Sequence, residues 1–400
     1  MKLASYDDGS RDGHLVVVSR DLRTAHFASG IATRLQQVLD DWAFMAPQLE
    51  ELSITLNHGK ARHAFPFEPA RCLAPLPRCT HWVSAQAWPA PEVQPAHASG
   101  AANAANAIDA ASATHAAGAS SAANLPSPAG PELRRGAGDA LFGPHTRLYL
   151  PEGRALDCEA QWLMLTDGVP QACTSGDALE RVRLLGLAAT WWLRSVQHAS
   201  AAQGLAGPSE LHAWPASSFS PVLATPDELG DAWRAGRLRR PLAMQVRGQA
   251  LGPCEAGQGM TWHGGQVLAW LARQQSLGAG TMVGMGPVRP SAARPGACCL
   301  QDARRHAAQG EQGEAVPEPV QKPTQAPAPE PVQAQSQASA QAPTHKPSPS
   351  PDLLAWLAPG DRVHIDMQDA QGQSLFGAID VTLESLHDLE SVATTAALPA

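Results

Sequence analysis

Two long stretches of this 400-residue chain cannot build a packed core, so any fold must close across both. The first runs from about 84 to 132 and is mostly Ala, Ser, Asn and Gly, as in Ser99-Gly100-Ala101-Ala102-Asn103-Ala104-Ala105. Alanine favours helix. Yet no stripe of large apolar side chains is there to anchor one, and an isolated helix is marginal in water. The second stretch, 311 to about 350, repeats short Pro, Ala, Gln and Glu units such as Pro317-Glu318-Pro319-Val320. That composition predicts an extended spacer. Beyond it the pattern returns. Val363, Ile365 and Met367 alternate between turns at Pro359-Gly360-Asp361 and at Asp369 to Gly372, and Leu375 to Ile379 returns. A lone hairpin is marginal in water, so this last block must pair back across the spacer.

The remaining segments carry ordinary folding signals. Asp12-Gly13 is a turn, and Leu15 to Val18 is a short buried strand. Ile31, Leu35, Val38, Leu39 and Trp42 recur at helical spacing. A second helix is expected from Pro47, which suits a first turn, with Leu49, Leu52 and Leu56 on its apolar face. Order is expected again from Asp139. Leu156 to Leu165 reads as a strand, and Leu179 to Leu187 as a helix running into another strand. Thr225-Pro226-Asp227-Glu228 is a helix start, with a capping hydroxyl, a first-turn proline and acids at the positive end of the dipole. That helix is expected to reach Gly236. Leu242 to Val246 is a strand turning at Gly248, Thr261 caps a helix bearing Val267, Leu268 and Leu271, and Gly280 to Val288 is a glycine-edged strand.

Charge narrows the function classes. The net charge is −8, and the densest basic cluster is Arg237, Arg239 and Arg240, which reads as a solvated turn. No basic stripe exists for a nucleic acid to follow. Seven cysteines without a C-x-x-C, including the vicinal Cys298-Cys299, read as reduced cytosolic thiols. The strongest apolar stretch, Leu184 to Leu193, is about half of what a bilayer needs, and the first eight residues turn acidic without an apolar signal core. The expectation is a soluble, cytoplasmic protein with neither nucleic acid nor membrane as partner. Other motifs are bland: Gly284-x-Gly286 lacks a third glycine and opens no helix, Ser217 and Ser218 lack a nucleophile elbow, and Trp191-Trp192 suits core packing.

Three ordered stretches carry a resemblance. They are Met1-Lys2-Leu3-Ala4-Ser5-Tyr6 with His63-Ala64-Phe65-Pro66-Phe67-Glu68; Phe219-Ser220-Pro221-Val222 with Thr225-Pro226-Asp227-Glu228-Leu229-Gly230; and Gly360-Asp361-Arg362-Val363 with Phe376-Gly377-Ala378-Ile379-Asp380. In order and spacing the chain resembles the bacterial branch of the fumarylacetoacetate hydrolase family. The resemblance implies an α+β fold: a small N-terminal α/β domain, then a mixed β-sandwich roll, usually dimeric. It places the N-terminal domain at 1–83, an insertion at 84–132, the catalytic-type domain at 133–310, a spacer at 311–350, the final hairpin at 351–388 and a tail at 389–400. It also implies a metal-dependent hydrolase or lyase, in which Mg²⁺ or Ca²⁺ held by carboxylates chelates a β-dicarbonyl substrate while lysine and hydroxyl groups stabilise developing charge.

Position by position, the matching residues differ from what that chemistry uses. The family's Asp-x-Glu-x-Glu strand reads Asp157-Cys158-Glu159-Ala160-Gln161, so Glu159 is the retained ligand and Gln161 has lost its charge. The aspartate of its Asn-Asp motif falls on Thr190, its lysine on Trp214 and its Gly-x-Gly-Thr threonine on Pro287. Gln197 matches a substrate-contacting glutamine. His81, His97 and His115 do not sit in the family's histidine pattern. Hard divalent cations depend on the number of carboxylates around them. The expectation is therefore a catalytically inactive or impaired homologue without a bound cofactor, acting as a binding or dimerisation partner, either as a homodimer or with an active paralogue. The competing expectation is a working hydrolase cleaving a carbon–carbon bond in fumarylacetoacetate or an acylpyruvate-type diketo acid.

Overall fold

A computed structural model of the chain describes residues 1–89, 130–150, 153–202, 212–289, 296–313 and 352–386. Its organising element is a long antiparallel hairpin of strands Leu156–Thr166 and Val182–Leu193, joined by the short helix Ser175–Leu179. Thr174 caps that helix: its hydroxyl accepts from the Asp177 backbone N–H, and the Asp177 carboxylate answers it. Nearly every position of both strands is buried because both faces are covered.

Around this hairpin lies a mixed sheet of twelve strands among the described residues. On one side, Val182–Leu193 pairs with Leu223–Ala224, which pairs with Lys2–Tyr6 and so with the strands His14–Val18 and Thr24–Phe27. The N-terminal segment is thus continuous with the hairpin's sheet. On the other side, Leu156–Thr166 pairs with Met282–Gly284, which runs parallel to Trp82–Ala85. A second sheet is built on Pro241–Val246, Arg362–Met367 and Ile379–Ser385. The block after the second spacer does pair back, Met244 opposite Ile365.

Period-two alternation divides the hairpin between two cores. Cys158, Ala160, Trp162 and Met164 pack with Leu187, Ala189 and Trp191 against Leu242, Met244, Ile365 and Ile379 of the second sheet. Leu163 and Leu165, on the opposite face, pack with Trp192, Trp214 and the N-terminal helices through Val38, Leu39 and Leu49. The order α+β and the two-layer sheet packing agree with the expected fold.

Several local expectations change. The second helix starts at Trp42 and contains Pro47, because the first, Leu35–Asp40, breaks at Asp41. Residues 84–89 belong to the core and not to an insertion: Ala85, Ala87 and Trp88 are buried, and Leu133–Arg135 pairs with Trp82–Ala85. The helix after Thr225 lasts only Pro226–Leu229, and the Thr225 hydroxyl is spent on the Met1 amine at 2.7 Å. His263, with Gln266, caps the helix Gly264–Leu271 in place of Thr261. The strand after Gly280 is only Met282–Gly284 and is followed by a cis Gly286-Pro287 bond. A helix not anticipated, Leu300–Gly313, runs past the expected start of the second spacer. The final strand is Ile379–Ser385, later than Leu375. Most of both spacers lies outside the described residues.

Candidate functional site

Asp157, Glu159 and Gln161 are alternate residues of one strand, so their side chains share a face, as the sequence predicts. Register completes the arrangement: Thr190 lies opposite Glu159 and beside Ser217, and Ala188 lies opposite Gln161. All four of Asp157, Glu159, Gln161 and Thr190 are buried, the first at 0% exposure and Glu159 at 3%.

A charged side chain overlooked in the sequence sits among them. Arg194, 1% exposed, begins the helix Arg194–Ala202. Its Nη2 donates to Asp157 Oδ2 at 2.7 Å and to Glu159 Oε1 at 2.8 Å, and its Nε donates to Asp157 Oδ2 at 3.0 Å. Its Nη1 reaches Gln197 Oε1 at 3.1 Å, which places Gln197 at the edge of the same cluster. Burial opposes the guanidinium charge, but the two carboxylates outweigh it and hold its pKa above the usual arginine value. Burial likewise pushes the Asp157 carboxyl up, against the pull of Arg194. One signal existed: Arg194 is the charge that ends the uncharged run from Leu184 to Leu193, and a buried charge requires a buried partner.

Asp157 has a second task. Its carboxylate accepts the backbone N–H of Leu300 at 2.8 Å and of Gln301 at 3.2 Å. An acid thus caps the first turn of Leu300–Gly313 from a distant strand, satisfying orphan donors and facing the positive end of the dipole.

The uncharged positions are committed to one another. Gln161 Oε1 accepts from the Ser84 hydroxyl at 2.9 Å, and its Nε2 lies 3.4 Å from Thr190 Oγ1. Thr190 Oγ1 also accepts the Trp192 indole N–H at 3.1 Å. Trp214 fills the space beyond: it stacks on Trp192 with centroids 5.2 Å apart and meets Trp82 edge-on at 5.8 Å. Its N–H donates to Ser217 Oγ and to the Ala216 carbonyl. Trp191 faces the other way, donating to Ser218 at 3.1 Å. So Ser217 and Ser218 serve indoles, and both Trp191 and Trp192 are core residues. Pro287 is buried behind Gly286, whose Cα hydrogens face the Gln161 side chain. His81 lies apart, half-buried on the strand edge, and His97 and His115 fall outside the described residues.

The family model described as Fumarylacetoacetase N-terminal domain 2 matches residues 1–78, and that described as Fumarylacetoacetate (FAA) hydrolase C-terminal matches residues 104–380. The chain belongs to the fumarylacetoacetate hydrolase family. Solved structures agree on the fold. The fumarylacetoacetate hydrolase of the psychrophile Exiguobacterium antarcticum superposes with a TM-score of 0.55 at 14% identity, over 96% of this chain and 99% of that one. Maleylpyruvate hydrolase from Sphingobium sp. SYK-6, in complex with manganese (II) ion and pyruvate, gives 0.54 at 12% identity over 96% and 99%. No curated protein sequence matches the chain. Members of this family are hydrolases and isomerases, and the chain is a homologue of them.

The residues at this chain's site do not fit a divalent ion held by a carboxylate cluster. Of the oxygens on that face, Asp157 is taken by Arg194 and three backbone N–H groups, Glu159 Oε1 by Arg194, Gln161 Oε1 by Ser84, and Thr190 Oγ1 by an indole. What is left is a single atom: Glu159 Oε2 is buried without a hydrogen-bond partner among the described residues. Hard divalent cations take six or more oxygens, with free charged carboxylates among them. No helix among the described residues is long and apolar enough to cross a membrane.

Proposed function

We propose that this chain is a non-catalytic member of the fumarylacetoacetate hydrolase family that works as a binding or dimerisation partner. The observation that carries the reading is Trp214. At the place the family resemblance gives to a lysine, an indole stacks on Trp192 and abuts Trp82, with its N–H spent on Ser217. An indole brings no positive charge to a developing enolate oxygen, and this one is buried in the aromatic packing beside Thr190's strand. Replacing charged pocket groups with packed apolar ones stabilises a fold while removing its chemistry. A reading of this kind predicts a well-folded protein whose use lies on its outside.

The test is turnover. The full chain is incubated with acylpyruvates, fumarylpyruvate and maleylpyruvate in the presence of Mg²⁺ or Mn²⁺, and loss of the enol absorbance is followed. The expected rate is that of buffer plus metal. Turnover above that rate, abolished by Glu159→Gln, would establish the competing reading of an active diketo-acid hydrolase. Solution mass by light scattering, alone and with an active family member, then separates a homodimer from a mixed assembly.

A further inference from the structure

We propose that a groove at the junction of the helices Ser175–Leu179 and Gly264–Leu271 is the docking site for a segment of this same chain, the second Pro-Glu-Pro-Val unit at Pro329 to Val332. The proposal goes beyond the reading of the Glu159 site and does not depend on it.

The groove is preformed. It has a volume of about 490 Å³, and Pro131, Cys173, Trp262, Gln266, Trp270 and Arg273 are among the residues that line it. The two helices meet closely, since a Cβ on Gly265 would stand 2.3 Å from the Ser175 carbonyl oxygen. Trp270 is seated on Gly130, where a Cβ would lie 2.3 Å from its ring, and the Arg273 guanidinium lies 5.1 Å from its ring centroid. Trp262 is tied through its backbone N–H, which donates to the Ala87 carbonyl at 3.2 Å. Half-buried rings held in this way offer apolar surface at little entropic cost.

Its polar groups define the ligand. The indoles of Trp88, Trp162 and Trp191 each donate to an acceptor of this chain. Among the described residues, neither Trp262 nor Trp270 has an indole acceptor. Gln266 spends its Oε1 on the His263 backbone N–H at 3.0 Å, and its Nε2 has no acceptor among the described residues. Arg273 is exposed and has no carboxylate partner among them. The matching ligand brings apolar rings, free carbonyl oxygens and one negative charge. A polyproline II segment has no internal hydrogen bonds, so its carbonyls are free, and aromatic-lined grooves bind proline-rich segments.

The chain carries such a ligand twice. Pro-Glu-Pro-Val-Gln occurs at 317–321 and at 329–333, each with an acid and no base, in a stretch outside the described residues. Position favours the second unit. It lies near the middle of the stretch between Gly313 and Asp352, where the described chain stops and resumes. At about 3.1 Å per residue each arm can span up to about 50 Å, about the width of a compact chain of this length. The first unit begins at 317, an arm of only about 12 Å from Gly313. Glu330 is the carboxylate that meets Arg273.

Cys173 lines the groove, so an occupant shields its thiol. The experiment follows maleimide labelling of Cys173 in the native full chain by peptide mass mapping, with the prolines intact and with Pro329→Ala/Pro331→Ala. Loss of the prolines should speed labelling about fivefold, as expected where a tether's effective concentration of about 1 mM exceeds Kd several-fold. A free peptide spanning residues 327–333, added at about 1 mM or above, should slow that variant again. The proline comparison is then repeated in an Arg273→Glu groove, which cancels any effect of charge on the thiol itself. There the proline substitutions should change nothing, and adding Glu330→Lys to Arg273→Glu should restore the protection. Glu318→Lys should leave the wild-type rate unmoved. Equal labelling with and without the prolines in the wild-type groove overturns the proposal, and this comparison needs no groove variant. A charge exchange that restores nothing overturns it, as does release of the thiol by Glu318→Lys. Protection that grows with protein concentration also overturns it and gives the groove to a second copy of the chain.

Discussion

Trp82 and Trp214 share one acceptor: both indole N–H groups donate to the hydroxyl oxygen of Ser217, at 2.9 and 3.0 Å. Two lone pairs on one buried oxygen therefore tie the strand Trp82–Ala85 to the segment after the helix Arg194–Ala202. Three tryptophans and Phe219 converge at this point, with Trp82 also edge-on to Phe219 at 5.4 Å.

Ser217→Ala should for this reason cost far more than the loss of one oxygen suggests. Trp82 loses its acceptor, while Trp214 keeps the Ala216 carbonyl at 3.1 Å. A buried donor left unpaired costs about 1–3 kcal/mol. The expected loss is about 2 kcal/mol in urea unfolding followed by tryptophan fluorescence, with Ser217→Thr retaining most of the stability. An unchanged midpoint for Ser217→Ala would show that the shared acceptor is not stabilising.

Much of the site could be read beforehand because strand geometry is periodic. The family resemblance singled out Asp157, Glu159, Gln161 and Thr190, and strand alternation put the first three on one face. What could not be read was contact at a distance in sequence. Arg194 meets Glu159 across 35 positions, and Leu300 meets Asp157 across 143. Neither pairing leaves a local pattern. The helix Leu300–Gly313 was hidden for a related reason: its first-turn N–H groups go to the distant Asp157 carboxylate and to the Cys299 sulfur, so no Ser, Thr, Asp or Asn marks its start. The early start assigned to the first insertion came from composition. Ala85 and Ala87 look like the alanine-rich stretch that follows, yet they are small because the chain is tightly buried there.

Gly284 and Gly286 should be unequal in their tolerance of a methyl group. A Cβ on Gly286 would lie 2.2 Å from Gln161 Cβ, an atom fixed by the strand backbone. On Gly284 the nearest atom is Gln161 Oε1, also at 2.2 Å, at the far end of a flexible side chain, with Trp82 Cη2 at 2.8 Å. Overpacking typically costs about 1–3 kcal/mol. Gly286→Ala should sit at or above the top of that range and Gly284→Ala below it. Denaturant midpoints in the reverse order would place the rigid contact elsewhere.

Among the cysteines, Cys173 should be the thiol that reacts in the native protein. All seven are unpaired, and Cys173 alone is partly exposed. Burial pushes Cys79 up to about 11, and Cys72, Cys158 and Cys299 further, so little thiolate forms at neutral pH. A maleimide added to native protein, followed by peptide mass mapping, should mark Cys173 first and the others only after denaturant. Early labelling of Cys298 or Cys299 would mean that the helix Leu300–Gly313 opens readily.

Acid sensitivity should depend on His198, which follows Gln197 on the helix that Arg194 begins. The side chain is 7% exposed. Burial disfavours its protonated form, and Arg194 and Arg305 add repulsion, so its pKa falls from 6.5 to about 4. In the unfolded chain the same imidazole takes up a proton near 6.5. Between those two values the unfolded state binds more protons, so stability is complete above pH 6.5 and is lost as the pH falls toward 4. A shift of this size is worth at most about 3 kcal/mol. His198→Gln, which keeps a polar side chain but cannot titrate there, should flatten that slope. Urea midpoints at several pH values across the window would show it as a wild-type decline absent from the variant. Parallel declines in the two proteins would mean that the imidazole keeps its ordinary pKa beside Arg194, and that the cation in this pocket is better screened than its burial implies.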